Sequence, residues 1–115
     1  MKLLVFILNR IDALESFLIR LAEEGIRGAT ILSSTGMARA LSDFGNENFT
    51  FFTSLRTLFN SENAENKTIL TVVSEEQVQT VLDVIDEVVG DLSKPNTGIV
   101  FTLPIDMVKG LSKTE

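Results

Sequence analysis

The sequence predicts a single α+β domain over residues 1–115, in which a four-stranded antiparallel sheet carries two helices on one face. Three observations predict it. A chain of 115 residues can build one core and is too short for two ordinary domains. Apolar runs of strand length alternate with two helical patterns, in the order β-α-β, a long excursion over residues 36–66, and β-α-β. Two β-α-β halves with an antiparallel pair in the middle form a ferredoxin-like sandwich.

The first half begins with a continuous apolar run over residues 3–8, which is typical of a strand covered on both faces. Asp12 then stands at an N-cap position with Glu15 three residues later, the pattern of a capping box. The apolar residues that recur at helical spacing are Leu14, Phe17, Leu18 and Leu21. Gly25 is expected to end this helix, and the β-branched run 29–34 is expected to form the second strand.

The excursion at 36–66 is polar and rich in turn-forming residues, yet it holds five of the eight phenylalanines. Its apolar side chains form one stripe at helical spacing, namely Phe51, Phe52, Leu55, Leu58 and Phe59. This stripe predicts a short amphipathic helix. Its function is either packing in the core or between subunits, or binding of a partner protein through Phe51, Phe52, Leu55 and Phe59.

The second half starts with a third strand over residues 68–73. Ser74 and Gln77 then form a second capping-box pattern, and Gly90 is expected to end the helix that follows. Residues 99–103 form the fourth strand, which a proline stops. Because the first strand is apolar on both sides, the sheet face without helices needs a cover, and self-association would supply one.

The composition excludes several chemistries, since the chain has no His, Cys, Trp or Tyr. A thiolate nucleophile, a Cys or His zinc site, a Ser/His/Asp triad and a disulfide are therefore impossible within one chain. We expect no catalytic residues and no metal site.

The net charge of −6 argues against binding to nucleic acid or to an anionic membrane. Six of the sixteen acidic residues lie between Glu75 and Asp91 without a base among them, which indicates a solvated helix face rather than a cation site. The sequence has neither a signal-peptide pattern nor an apolar stretch of membrane-spanning length. We expect a cytoplasmic protein.

The segment GIRGATILSSTGMARA, residues 25–40, resembles the part of the PII signalling proteins that leads to their long T-loop. Residues 1–15 are similar to the opening strand and helix of that family, residues 66–78 to its third strand and second helix, and residues 98–108 to its fourth strand. The resemblance covers nearly the whole chain, with the excursion standing where the T-loop belongs.

This resemblance implies a homotrimer that binds a small effector in clefts between neighbouring subunits. The effector is an adenine nucleotide (ATP, ADP or AMP) or a cyclic dinucleotide, and the loop at 37–66 meets a target protein. The family switches some of its members by uridylylation of a T-loop tyrosine, a control that this chain cannot use because it has no Tyr.

Carried over residue by residue, the resemblance implies a ligand site with four parts. Thr30 matches the threonine that faces the adenine, and residues 36–39 match the loop base. The loop-base residues are Gly36, Met37, Ala38 and Arg39. Asn96, Thr97 and Gly98 stand where the family grips phosphates with a Gly-Asp-Gly-Lys motif, although the lysine is missing, and Lys109 falls near a late phosphate-binding arginine. Fewer cations favour fewer phosphates or a different ligand.

Other interpretations remain open at the level of sequence. The segment 36–39 fits a plain turn, residues 95–98 fit an ordinary loop, and Arg39 and Lys109 fit solvated charges. The alternative function is a small ferredoxin-like enzyme of the acylphosphatase kind, for which Arg10 and Asn66 would be poor phosphate-holding residues. A metal-tolerance trimer of the same architecture lacks the His and Cys that it would need.

Overall fold

The structure is a computed structural model that describes residues 1–37, 40–41 and 65–111. One antiparallel sheet has the strand order β2-β3-β1-β4, and two helices complete the α+β ferredoxin-like arrangement that the sequence predicts. The strands are β1 (Lys2–Leu8), β2 (Ala29–Thr35), β3 (Glu65–Val73) and β4 (Gly98–Pro104), and the helices are α1 (Leu14–Glu23) and α2 (Glu75–Val88). The third strand begins three residues earlier than predicted because Glu65 and Asn66 still pair with the end of β2.

The core lies between the sheet and the two helices. Leu4, Phe6 and Leu8 alternate along β1 and are fully buried, so that one face of this strand supplies the centre of the core. The ring of Phe17 on α1 meets Phe6 edge-on, with 5.1 Å between ring centroids. Val81, Val84 and Ile85 of α2, with Val89 at its C-cap, close the other side of this cluster.

The two predicted capping boxes have different outcomes. At α2 the prediction is confirmed. The backbone amide of Gln77 donates to Ser74 Oγ at 3.3 Å, and the backbone amide of Ser74 donates to Gln77 Oε1 at 2.8 Å. At α1 the prediction is wrong, because Asp12 lies inside a 3-10 turn (Ile11–Ala13) and caps nothing. The Ala13 amide bonds to the Arg10 carbonyl at 3.0 Å, and the Asp12 carboxylate pairs with Arg10 at 3.5 Å instead.

Gly25 ends the first helix as predicted. Its φ is +87°, and the amide of Ile26 beyond it bonds back to the Leu21 carbonyl at 2.9 Å. After this turn the chain enters β2, which pairs with β3 in antiparallel orientation. None of the helices in the described residues is long and apolar enough to span a membrane.

The second face of the sheet, called here the helix-free face, is largely apolar. It carries the residues that alternate with the buried ones, including Leu3, Val5 and Ile7 of β1, Leu70 and Val72 of β3, and Ile99, Phe101 and Leu103 of β4. The last three are 56%, 43% and 43% exposed. In a single copy this face therefore leaves a row of large apolar side chains in water.

Candidate functional site

A compact turn, residues 91–97, follows α2 at the end of the sheet where β1 finishes and β4 starts. Asp91 Oδ1 accepts hydrogen bonds from the Ser93 hydroxyl at 2.7 Å and from the Ser93 amide at 2.9 Å. These bonds favour the ionised carboxylate and lower the pKa of Asp91. The Lys94 amide adds a bond to the Asp91 carbonyl at 3.2 Å, so the turn is closed by its own groups.

Thr97 ends the turn as a buried polar residue. Its Oγ1 lies 2.7 Å from the Lys94 carbonyl oxygen and 3.1 Å from that of Leu92, and the hydroxyl donates to them. Its own carbonyl accepts from the amides of Asn9 at 3.0 Å and Arg10 at 3.4 Å. The side chain predicted to bind a ligand thus holds the turn together.

Asn96 and Gly98 flank Thr97 in conformations that few residues adopt. Asn96 is a non-glycine residue with φ at +60°, in the left-handed region that asparagine tolerates better than most. Gly98 has φ at +155°, and a Cβ there would lie 2.6 Å from the Ile7 carbonyl oxygen. The backbone of β4 therefore starts in direct contact with β1, which fixes where the turn sits.

The end of β2 supplies the second group of predicted residues. Gly36 is half-buried, and a Cβ on it would lie 3.5 Å from the side-chain amide nitrogen of Asn66. Ser34 Oγ contacts the side-chain and main-chain oxygens of Asn66 and lies 2.8 Å from Thr68 Oγ1. This group of hydroxyl and amide side chains on the helix-free face joins the two strands between which the excursion is inserted.

Thr30 and Met37 are exposed. Thr30 lies on the helix-free face in the same row as Leu70, Val5 and Phe101. The predicted residues Ala38 and Arg39 lie outside the described residues, and so does the predicted partner-binding stripe of Phe51, Phe52, Leu55 and Phe59.

Lys109 is exposed in the segment that follows β4. This segment turns back to the start of the chain, where the Ile105 amide approaches the Met1 carbonyl at 3.4 Å. Met1 and residues of 105–111 line an open depression of about 460 Å³, which Lys109 itself does not line. Because Lys2 pairs with Pro104, Lys109 lies toward the end of the sheet opposite to Gly98.

One chain does not bring all of these residues together. Gly36, just after β2, and Asn96 and Gly98, at the start of β4, lie on opposite edges at the same end of the sheet, with β3 and β1 between them. Thr30 lies near the start of β2, and Lys109 lies toward the other end of β4. Adjacent strands are about 4.8 Å apart, which puts the two edges about 14 Å apart. A compact ligand bound at Gly36 therefore does not reach Asn96 and Gly98 of the same chain, whereas a second copy with its opposite edge alongside would bring these residues together.

The sequence does not indicate the structural roles of Arg10 and Asn66. Arg10 donates from Nη1 to the Val89 carbonyl at 2.7 Å, across 79 positions of sequence, and no local pattern could indicate that contact. For Asn66 the sequence suggests only a poor phosphate ligand in the alternative enzyme. The Arg10 guanidinium lies beside the end of α2, whereas the Asn66 side chain belongs to the helix-free face, so they do not form a common phosphate cradle.

Within the described residues, no cluster of three or more acidic side chains is placed to hold a metal ion. The six acidic residues between Glu75 and Asp91 are exposed, as expected for a solvated helix face. Glu87 alone among them makes an ion pair in the described part of the chain, with Arg20 of α1 at 2.7 Å.

The fold and the divided site define a class: a small ferredoxin-like α+β protein with polar loop residues at both sheet edges and an apolar sheet face. The chain belongs to the nitrogen regulatory protein P-II family, whose sequence model matches residues 1–115, the whole of the chain. The comparison with curated proteins gives no match. Family membership makes this a PII-like regulatory protein and confirms the resemblance drawn from residues 25–40.

Proposed function

We propose that this protein is a cytoplasmic sensor that assembles as a homotrimer and binds an adenine nucleotide or a cyclic dinucleotide in clefts between neighbouring subunits. It signals to a target protein through residues 37–66. It acts by binding and not by catalysis, and membrane insertion and nucleic-acid binding are not part of its function.

One observation carries the proposal. Gly36 at the β2 edge and Asn96 and Gly98 at the β4 edge lie at the same end of the sheet but on opposite edges, so that a site containing both groups needs the edge of a second copy. In a closed ring of identical subunits, the β2 edge of each one can meet the β4 edge of the next.

The charges of the described residues limit the number of phosphates in the effector. Lys94 is an exposed cation in the turn that holds Asn96, Lys109 lies toward the other end of β4, and the Thr97 hydroxyl is engaged within its turn. Each cation removed from a phosphate site removes a charge-assisted hydrogen bond. We expect AMP or ADP to bind at least as tightly as ATP.

Isothermal titration of the protein with ATP, ADP, AMP and cyclic di-AMP, each with and without Mg²⁺, tests this function. At least one of them should bind in a ratio of one per chain and raise the melting temperature, because a ligand at a hundred times its Kd stabilises the folded state by about 2.7 kcal/mol. Absence of heat and of a thermal shift for all four would overturn the proposal.

Gly36→Ala provides a variant matched to this test. The Cβ that it adds would meet Asn66 at an ordinary contact distance of 3.5 Å, so we expect the variant to fold with an unchanged circular dichroism spectrum. If the effector approaches the loop base closely, the added methyl group weakens binding about tenfold or more. Unchanged affinity would exclude Gly36 from the site.

A further inference from the structure

Arg10 makes a contact that the proposed function does not use. The residue lies two positions after the end of β1, and its guanidinium donates from Nη1 to the carbonyl of Val89, the C-cap residue of α2. The last carbonyls of a helix have no donor within the helix and carry partial negative charge. Since α2 has no basic residue in its last turn, Arg10 supplies the cation from a distant part of the chain.

The backbone beside this guanidinium makes a second attachment. The amides of Asn9 and Arg10 both donate to the Thr97 carbonyl, at 3.0 and 3.4 Å. Val89 lies two residues before the 91–97 turn and Thr97 is its last residue, so the dipeptide Asn9-Arg10 contacts the chain at both ends of that turn.

The bonds within the turn are local, and the close approach of Gly98 to β1 positions only the Thr97 end of the turn. Asp91 and Thr97 close it from within, but those bonds do not fix its position relative to the sheet. Asn96 is held in the left-handed region, a conformation that persists where the surroundings determine it. Loss of the Arg10 side chain would remove the side-chain bond to the Val89 carbonyl, while Val89 stays packed in the core and the Thr97 end stays attached.

We propose that Arg10 is a positioning residue of the effector site, which holds the 91–97 turn, and with it Asn96, in the conformation that the effector meets. The inference rests on the proposed function. Arg10 acts through the turn and not by touching the ligand, since its guanidinium is engaged by Val89 and by Asp12 at 3.5 Å.

Titration of wild-type protein, Arg10→Ala and Arg20→Ala with ATP, ADP, AMP and cyclic di-AMP tests the inference. Arg20 is a matched control because the bonds of its guanidinium go to the carboxylates of Glu23, Glu24 and Glu87, and none goes to the turn. Both variants should lower the melting temperature. Arg10→Ala should raise the Kd of the ligand that binds best about tenfold, a change in binding free energy similar to that of one hydrogen bond to a charged group. Arg20→Ala should change this Kd less than twofold.

Hydrogen exchange of the free proteins gives a readout that a general loss of stability would not produce. In Arg10→Ala the amides of residues 91–97 should exchange faster relative to those of the sheet, and Arg10→Lys, which keeps a cation near the Val89 carbonyl, should restore part of the protection. In Arg20→Ala that ratio should not change.

The possible failures are distinguishable. Wild-type protein that binds none of the four ligands overturns the proposed function together with the effector part of the inference. Wild-type affinity in Arg10→Ala, an equal loss of affinity in Arg20→Ala, or turn amides that exchange equally in both variants overturns the assignment of Arg10 alone.

Discussion

Gly98 illustrates how a single residue sets the position of the candidate site. Its φ of +155° is unfavourable for other residues, and its α-carbon faces the end of β1 so closely that a methyl group would lie 2.6 Å from the Ile7 carbonyl oxygen and 3.1 Å from the ring of Phe6. Neither atom can move without displacing the core, because Phe6 is fully buried. The turn before Gly98 therefore has one place to sit.

We expect Gly98→Ala to lower the free energy of unfolding by about 2–4 kcal/mol, from backbone strain and the clash together. Gly90→Ala is the control, since Gly90 has φ at +98° with nothing within 4 Å of an added Cβ, and it should cost about 1 kcal/mol from strain alone. Urea unfolding at one fixed protein concentration measures both. Equal losses in the two variants would show that the close approach to β1 contributes nothing.

The role of Thr97 in its turn shows why the sequence predicts the residues of the candidate site only in part. The sequence located the loop correctly, because a turn must join α2 to β4 and Pro95 and Gly98 mark it. It could not show that the Thr97 hydroxyl points back to the carbonyls of Leu92 and Lys94, since that direction depends on the folded course of the turn. The Arg10 contact depends on two distant segments meeting, which no local pattern encodes.

At the scale of elements, α1 and α2 are joined on their outer surface by Arg20. Its guanidinium binds Glu87 of α2 through two nitrogens, at 2.7 and 3.2 Å, and reaches Glu23 and Glu24 near the end of its own helix. The hydrogen bond from Arg20 lowers the pKa of Glu87, and the carboxylates in turn raise the pKa of Arg20. Both groups are partly exposed, so salt weakens the pair.

The pH dependence follows from the direction of the Glu87 shift. A carboxyl whose pKa is lower in the folded state stabilises the protein fully above its unfolded pKa, about 4.5, and loses this contribution as the pH falls through the folded value. We expect Glu87→Gln to lower the melting temperature at pH 7 and to differ less and less from wild type below pH 4.5. Asp86→Asn, a change of the neighbouring exposed carboxylate, is the control. A difference between wild type and Glu87→Gln that is the same at pH 7 and pH 3 would contradict the ion pair.

The two helix starts show which part of an element the sequence encodes. Ser74 and Asp12 both stand three residues before a Gln or Glu, and the pattern is a real cap at Ser74 only. The chain enters α2 directly from an extended residue, Ser74, with ψ at 168°. It enters α1 through a 3-10 turn, directly after the backbone bonds of Asn9 and Arg10 to Thr97. Periodicity thus predicts the body of a helix, while tertiary contacts decide how it begins.

At the scale of the whole molecule, the helix-free face of the sheet exposes large apolar side chains to water in a single copy, which is unfavourable. Val5 at its centre is 8% exposed, whereas Ile99 and Phe101 on β4 are 56% and 43% exposed. Exposed apolar side chains that are contiguous across neighbouring strands are unusual for a monomer and typical of an interface. Strand β1 is apolar on both sides, so the sequence predicted that this face would need a cover.

Phe101→Glu tests whether copies of the chain supply that cover. A carboxylate buried without a partner between subunits costs several kcal/mol, so the proposed trimer should dissociate to a folded monomer. Ile19→Glu is the matched control, because Ile19 is 52% exposed on the helix side of the same molecule and its replacement should leave the assembly intact. Native mass spectrometry measures the oligomer, and circular dichroism confirms that both variants fold.

A wild-type monomer, or a Phe101→Glu trimer as stable as that of Ile19→Glu, would contradict assembly through the sheet. If Phe101→Glu is monomeric and also loses the nucleotide, the effector site requires a second copy, as the division of its residues between the β2 and β4 edges predicts.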